Sequence, residues 1–384
     1  MDYIRILENL ISIDNTVPPG RNYLKTITYL DPLFRQVGLQ TEIVRIPPEH
    51  AEGREGRVNL ICHRREPGKP RLIFYGHIDV VPAEGWNAFQ PRRENGKIFG
   101  RGAADMKGGI VSLLMGLDAV KNKPLKYDTS VIITVDEESS QSSQLRYIAQ
   151  FLQPLAGSHF FSLDSSFGYV SVTGLGVIHM DVIVKGKAVH SGMAHMGVNA
   201  VENAVLVLQA LLKLKKRVIQ RKSSVPVHPA TGLKVMQARL NINMVHGGLK
   251  VNIVPDQCVI TIDRRLIPEE NIEIAEKELE DALASIPDIE YETNVALRIP
   301  PVPPVKGKVV DELDRVIKQV TGSGGQYGEM GSGDLGYIVA GEWGGQEFGL
   351  GVIRPECSIH GKEEFAYEKD VTDLGKIIAL FLQG

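Results

Sequence analysis

RLIFYGHIDVVP (71–82) opens on a run of large apolar and aromatic residues and turns polar at His77 and Asp79. A short apolar run ending in a polar turn reads as a strand buried on both faces. Two further stretches repeat the pattern: SVIITV (130–135) runs into Asp136, Glu137 and Glu138, and SHFFSL (158–163) runs into Asp164. Between the first two, GGIVSLLMGLDAVKN (108–122) has the length and composition of a helix packed on a sheet. The alternation predicts an α/β fold with parallel strands covered on both faces. In such sheets ligands bind beyond the carboxyl ends of the strands, so the acidic turns are expected to converge on one crevice.

Further along, the chain changes character. From about 174 to 286, the alternating segments VIHMDVIV, LKVMQARLNINMV and KVNIVPDQCVITIDRR surround a helical stretch, VNAVENAVLVLQALLKLKK. Val201, Val205, Leu208 and Leu212 share one face of that helix, a stripe expected to pack on a sheet. The expected division is a discontinuous α/β domain, 1–173 with 287–384, interrupted by a β-rich α+β insertion, 174–286. DELDRVIKQV and DVTDLGKIIALFLQ read as helices of the returning α/β part, and the glycine-rich TGSGGQYGEMGSGDLG between them suits either a linker or backbone contact with a ligand.

Composition excludes several classes. The 384 residues carry 43 Lys+Arg against 46 Asp+Glu, a formal net charge of −3, without the basic excess of a nucleic-acid or membrane-surface binder. The start, MDYIRILENLISIDN, is acidic and amphipathic rather than signal-like, and no window approaches the roughly 20 apolar residues that span a bilayer. Cys62, Cys258 and Cys357 are too few and too scattered for a disulfide framework or a cysteine zinc site. The expectation is a cytoplasmic protein with no membrane and no nucleic-acid partner.

The chemistry lies in the turns. His77 and Asp79, two apart at a strand end, point to the same side, so a ligating imidazole and a supporting carboxylate can share one site. An HxD triplet is also ordinary surface chemistry. Asp105, alone among the glycines of GRGAADMKGG, suits a metal ligand or a helix cap. Three successive carboxylates, Asp136, Glu137 and Glu138, repel one another unless a cation or solvent compensates, so a ligand beside a general base and a solvated strand end are both open. With Asp164 and His360, in CSIHGKEEF, the set reaches two histidines and several carboxylates, a donor mix suited to zinc, cobalt or manganese.

GHIDVVP, GRGAADMKGG and DEE in this order resemble the dinuclear zinc aminoacylase and carboxypeptidase family. That family includes succinyl-diaminopimelate desuccinylase, acetylornithine deacetylase, bacterial glutamate carboxypeptidase and the peptidase T type of tripeptidase. The resemblance runs from VPPG (17–20) to the helix after Asp373. It implies a zinc-exopeptidase-like catalytic domain with a mixed sheet and an inserted lid and dimerisation domain. It further implies two divalent metal ions, with His77 and Asp164 on one, Glu138 and His360 on the other, and Asp105 bridging. Glu137 is then the general base, Asp79 the residue orienting His77, and Glu364 structural support. His190, in GKAVHSGMAHMG, matches a histidine that reaches across a homodimer to the reacting carbonyl oxygen, while His195, five residues later, is read as incidental. Arg265 matches an arginine that clamps a substrate carboxylate; Asn252, Gly331 and Ser332 match positions near the same pocket. For Arg265 a surface ion pair is the alternative, raised by the adjacent Arg264.

Departures from the pattern bear on substrate. SSQSS (139–143) replaces a glycine-containing turn after DEE, Ser-Gly-Asp stands in the glycine-rich loop, GVIRPECSIHG lacks the usual GPG, and Arg354 is an added cation suited to acidic substrates. Asp164, rather than Glu, leans toward the peptidase branch. The expected activity is hydrolysis of a peptide or N-acyl bond next to a free carboxylate. A biosynthetic N-acyl-amino-acid deacylase is the rival within the class, and a catalytically silent binder of peptides or amino acids the rival outside it.

Overall fold

The computed structural model describes residues 1–384 except 52, 140, 141, 154, 342, 343 and 384, with backbone alone for 142 and 143. The centre of the SSQSS turn therefore lies outside the described residues. The chain forms two compact units: Met1–Val172 with Pro304–Tyr327 and Tyr337–Gly384, and Thr173–Pro303 with Gly328–Gly336.

The first unit is built on a mixed eight-stranded sheet. Its centre is parallel: Arg71–His77 lies between Asp128–Thr134 and His159–Ser162, and Gln346–Gly349 continues beside the latter. Antiparallel strands Gln40–Arg45 and Val58–Arg64 finish one side. All three apolar runs singled out in the sequence are thus adjacent central strands, and their carboxyl ends sit side by side. Helix Gly108–Val120 is buried along nearly its whole length and packs on helix Glu368–Gln383. Glycine is required at that crossing, because a Cβ on Gly116 would lie 2.7 Å from Ile378 Cγ2 and 3.0 Å from the Gly375 carbonyl. Phe161 anchors the core against Phe74 and Phe348, with ring centroids 5.0 and 5.2 Å away.

The second unit has a four-stranded antiparallel sheet in the order Arg239–Gly247, Gln257–Leu266, Gly176–Lys185, Tyr291–Ile299. Its helices, Ala200–Val218 and Ile272–Ala284, start at Asn199 and Asn271, whose side chains accept backbone N–H groups of the first turn. The unit extends beyond the expected boundary at 286 because strand Tyr291–Ile299 pairs with Gly176–Lys185. It also takes Gly328–Gly336 from the glycine-rich stretch, which the sequence reading left with the α/β part.

One prediction of packing reverses. The buried stripe of helix Ala200–Val218 is Ala204, Val207, Leu211, Leu214 and Val218, whereas Val205 and Leu212 are each 48% exposed. Both sets repeat at helical spacing, so periodicity alone does not say which faces the sheet. No helix among the described residues is long and apolar enough to cross a membrane.

Candidate metal centre

The first unit gathers every residue of the expected metal set. His77 ends its strand with a fully buried ring, and its Nε2 lies 3.4 Å from Asp105 Oδ1, 3.9 Å from Glu137 Oε2 and 3.9 Å from Asp164 Oδ2. His360 Nε2 lies 3.1 Å from both Asp105 Oδ2 and Glu138 Oε2. Two groups result, His77 with Glu137 and Asp164, and Asp105 with Glu138 and His360, each with its ligand atoms within 4.8 Å of one another. Asp105 faces both, turning one carboxylate oxygen toward each histidine.

The local backbone explains the convergence. Asp136 adopts φ +65°, a left-handed kink two residues past the end of strand Asp128–Thr134, and the following turn carries Glu137 and Glu138. Its buried carboxylate accepts from Tyr23 Oη at 2.5 Å, Arg57 Nε at 2.6 Å and Gln144 Nε2 at 2.8 Å, which locks the kink. Asp136, the first acid of the triplet, is thus a positioning residue. The sequence offered one signal for this: it is the one acid of the three that immediately follows the apolar run.

Asp79 meets His77 mainly through its backbone. Its backbone carbonyl lies 3.1 Å from His77 Nδ1, while its carboxylate Oδ1 is 3.5 Å away. A carbonyl can only accept, so Nδ1 carries the proton and Nε2 turns its lone pair toward the carboxylates. The Asp79 carboxylate instead accepts from the Glu138 N–H at 2.9 Å, holding the acidic turn. His77 Nε2 is buried with no hydrogen-bond partner among the described residues. An orphaned imidazole lone pair facing carboxylates is costly unless positive charge lies between them, and mixed nitrogen and oxygen donors are what a divalent ion takes.

Electrostatics agree with that reading. Burial works against a charged His77, yet the neighbouring carboxylates of Asp105, Asp79 and Glu137 hold its pKa well above the usual range. Hydrogen bonds with Asp105 and Glu138 push His360 up to about 10. Burial and the neighbouring Asp105 charge push Glu138 up. The crevice draws in positive charge, whether as protons or as cations.

Residues 73–384 match the profile of peptidase family M20/M25/M40. The chain belongs to this family. Among curated relatives it is 27% identical over 363 residues to succinyl-diaminopimelate desuccinylase from Psychrobacter sp. (strain PRwf-1), covering 90% of this chain and 86% of that one. It is also 27% identical over 308 residues to acetylornithine deacetylase from Vibrio parahaemolyticus serotype O3:K6, covering 74% and 73%. Its fold matches an M20 family metallo-carboxypeptidase from Sulfolobus solfataricus at a TM-score of 0.85, with 16% identity and 100% and 98% coverage. Membership makes the M20 chain a metal-dependent hydrolase of amide or peptide bonds.

The remaining candidate residues lie in the second unit. Strand Val189–His190 pairs with Ile253–Val254, and the Ser191 N–H donates to the Asn252 carbonyl at 3.0 Å, so exposed His190 and Asn252 belong to one loop cluster. His190 Nδ1 accepts the Gly192 N–H at 3.1 Å, which leaves the proton of the uncharged ring on Nε2, free to donate. Arg265 and Arg264 point to opposite faces of their strand. Arg264 is buried on Glu270, whereas Arg265 reaches Ser332 Oγ at 3.0 Å and Asp263 at 2.9 Å. Three of the five Arg265 N–H groups are engaged, and one on each terminal nitrogen is left. Gly331, next to Ser332, receives the Leu175 N–H at 2.8 Å through its carbonyl. Arg354 is not an added free cation, because it is paired with Asp370 and stacked 4.8 Å over Phe167.

Proposed function

We propose that this M20 chain hydrolyses a peptide or N-acyl amide bond next to a free carboxylate, as a cytoplasmic homodimer acting on small peptides or N-acyl amino acids. The paired cage around Asp105 carries the reading, since one carboxylate serves two donor groups. In this reading His77 and Asp164 hold one divalent ion, Glu138 and His360 the other, and Asp105 both, with zinc the best fit and cobalt or manganese the alternatives. Bound there, such ions polarise the scissile carbonyl and acidify a water.

Glu137 supplies the base. Its carboxylate takes a proton from the attacking water and delivers it to the amide nitrogen as the C–N bond breaks, so one group serves both halves of the reaction. Asp79 keeps the His77 lone pair aimed and the Glu138 turn in place. His190 of a second copy donates its Nε2–H to the oxyanion that develops on the carbonyl. The two remaining N–H groups of Arg265 receive the substrate carboxylate, with Asn252, Gly331 and Ser332 around the same pocket. The exposed Val205 and Leu212 stripe and the edge strand Arg239–Gly247, with Met244 and Val245 exposed, give the second copy an apolar face to cover. Three free, buried cysteines fit a reducing compartment.

Turnover on a panel of dipeptides, tripeptides and N-acetyl and N-succinyl amino acids, with zinc, cobalt or manganese and with chelator, tests the proposal. Metal-dependent release of a free amino acid is the expected result. Release from N-acyl substrates alone selects the biosynthetic deacylase, the reading favoured by the curated relatives. Ligand binding without turnover in the metal-loaded protein selects the silent binder.

A further inference from the structure

The geometry points to Arg101 and Glu364 as a buried clip that sets the spacing between Asp105 and His360, and with it the affinity of the centre for metal. This rests on the metal-binding reading above. Glu364 is fully buried, and its Oε1 accepts from the Ala104 and Asp105 N–H groups at 3.1 and 3.2 Å. Its Oε2 accepts from the Gly102 N–H at 3.1 Å and from Arg101 Nη1 at 2.7 Å. Arg101, 2% exposed, uses Nη2 to donate to the Gly361 carbonyl at 2.9 Å, one residue after His360.

These bonds solve a problem posed by the turn. Asp105 (φ −118°, ψ 87°) and Met106 (φ −138°, ψ 26°) are non-helical, so the turn that presents Asp105 does not form the regular ladder that would engage its N–H groups. A buried carboxylate is a costly way to receive them, and it is retained here together with a guanidinium that neutralises it. The same guanidinium extends to the loop of His360. One ion pair therefore spans the two loops whose side chains meet at Asp105 Oδ2 and His360 Nε2, 3.1 Å apart. Groups that orient ligands from behind typically change metal affinity about 10–100-fold when removed.

Replacing Glu364 by Gln leaves one carbonyl oxygen for two pairs of donors, so either the Asp105 side or the Arg101 side loses its acceptor. Glu364→Asp retains the charge but is one methylene short, and it serves where the Gln variant fails to fold. The test titrates chelator-treated protein with cobalt and follows the visible absorption band, with circular dichroism confirming the fold. We expect affinity to fall about 10–100-fold and the band to shift, since the ligand geometry changes. Arg101→Lys, which keeps the charge but cannot span both acceptors, is expected to lie between wild type and Glu364→Gln. A folded variant that binds cobalt within twofold of wild type, with an unshifted band, overturns the clip. Absence of cobalt binding by wild type overturns the metal reading itself.

Discussion

The acidic cage of the first unit and the apolar stripe of the second show opposite relations between side chain and surroundings. In the cage, most polar groups are buried and held: Asp136 by four donors, Glu364 by four, His77 by the Asp79 carbonyl. Among the described residues His77 Nε2 and Asp79 Oδ1 are buried without a hydrogen-bond partner, and His77 Nε2 faces the carboxylates of Asp105, Glu137 and Asp164. On helix Ala200–Val218 the anomaly is reversed, since Val205 and Leu212 are apolar and half-exposed beside fully buried Leu211. A buried polar atom without a partner and an exposed apolar stripe carry the same kind of information. On the proposed reading, each marks where something beyond the single chain would complete the molecule, an ion in one case and a second copy in the other.

The comparison can be broken at several points. Chelation is expected to abolish hydrolysis entirely, with recovery on adding back zinc, cobalt or manganese; full activity in chelator-treated, metal-free protein by elemental analysis breaks the cage reading. Glu137→Gln is expected to lower kcat by about 10²–10⁴ while metal content stays at the wild-type value. Loss of metal in that variant would move Glu137 from base to ligand, in keeping with its place beside His77 and Asp164.

The stripe offers a paired test on one helix. Leu211→Ala is expected to destabilise the protein by about 2–5 kcal/mol in denaturant titration, as buried leucines do. Val205→Asp with Leu212→Asp should leave monomer stability close to wild type and shift the sedimentation coefficient from dimer to monomer. Unchanged sedimentation removes the stripe as the dimer face.

Arg265→Ala is expected to raise KM for substrates with a free carboxylate by about 10–100-fold, with little change for their amides, as for loss of a charge-assisted pair. The smallest effect concerns Asp263. Burial pushes its carboxyl up, but hydrogen bonds from His179 and Arg265 prevail and hold it at about 2. A depressed acid contributes stability that is present above its unfolded value near 4 and is lost as pH falls through about 2. Asp263→Asn should flatten the loss of stability between pH 4 and pH 2, read by thermal melts.

The convergence of His77, Glu137, Glu138 and Asp164 was legible because these residues follow apolar runs, where strand and turn are both readable locally, whereas Asp105 and His360 stood out only through the motifs that carry the family resemblance. What holds the cage was not legible, since the contacts of Glu364 with Gly102, Ala104 and Asp105 join positions some 260 residues apart. Asp263 was missed as the partner of Arg265 although the two are two apart on a strand and so share a face. The helix stripe was assigned to the wrong side because the helix is apolar on two faces, each at helical spacing. The boundary at 286 failed for a related reason: strand pairing between Tyr291–Ile299 and Gly176–Lys185 is a non-local event that no local pattern announces.

The seam between helix Gly108–Val120 and helix Glu368–Gln383 also bears on how the protein is made. The helix that follows the Asp105 turn has its packing partner more than 240 residues downstream, as His360 and Glu364 are from Asp105. During synthesis at about 5–20 residues per second, a ribosome spends many seconds on the intervening chain before these elements can meet. On the proposed reading, metal loading at Asp105 is therefore a late event in the life of each polypeptide. A nascent chain stalled before residue 360 exposes the apolar seam without being able to close the cage.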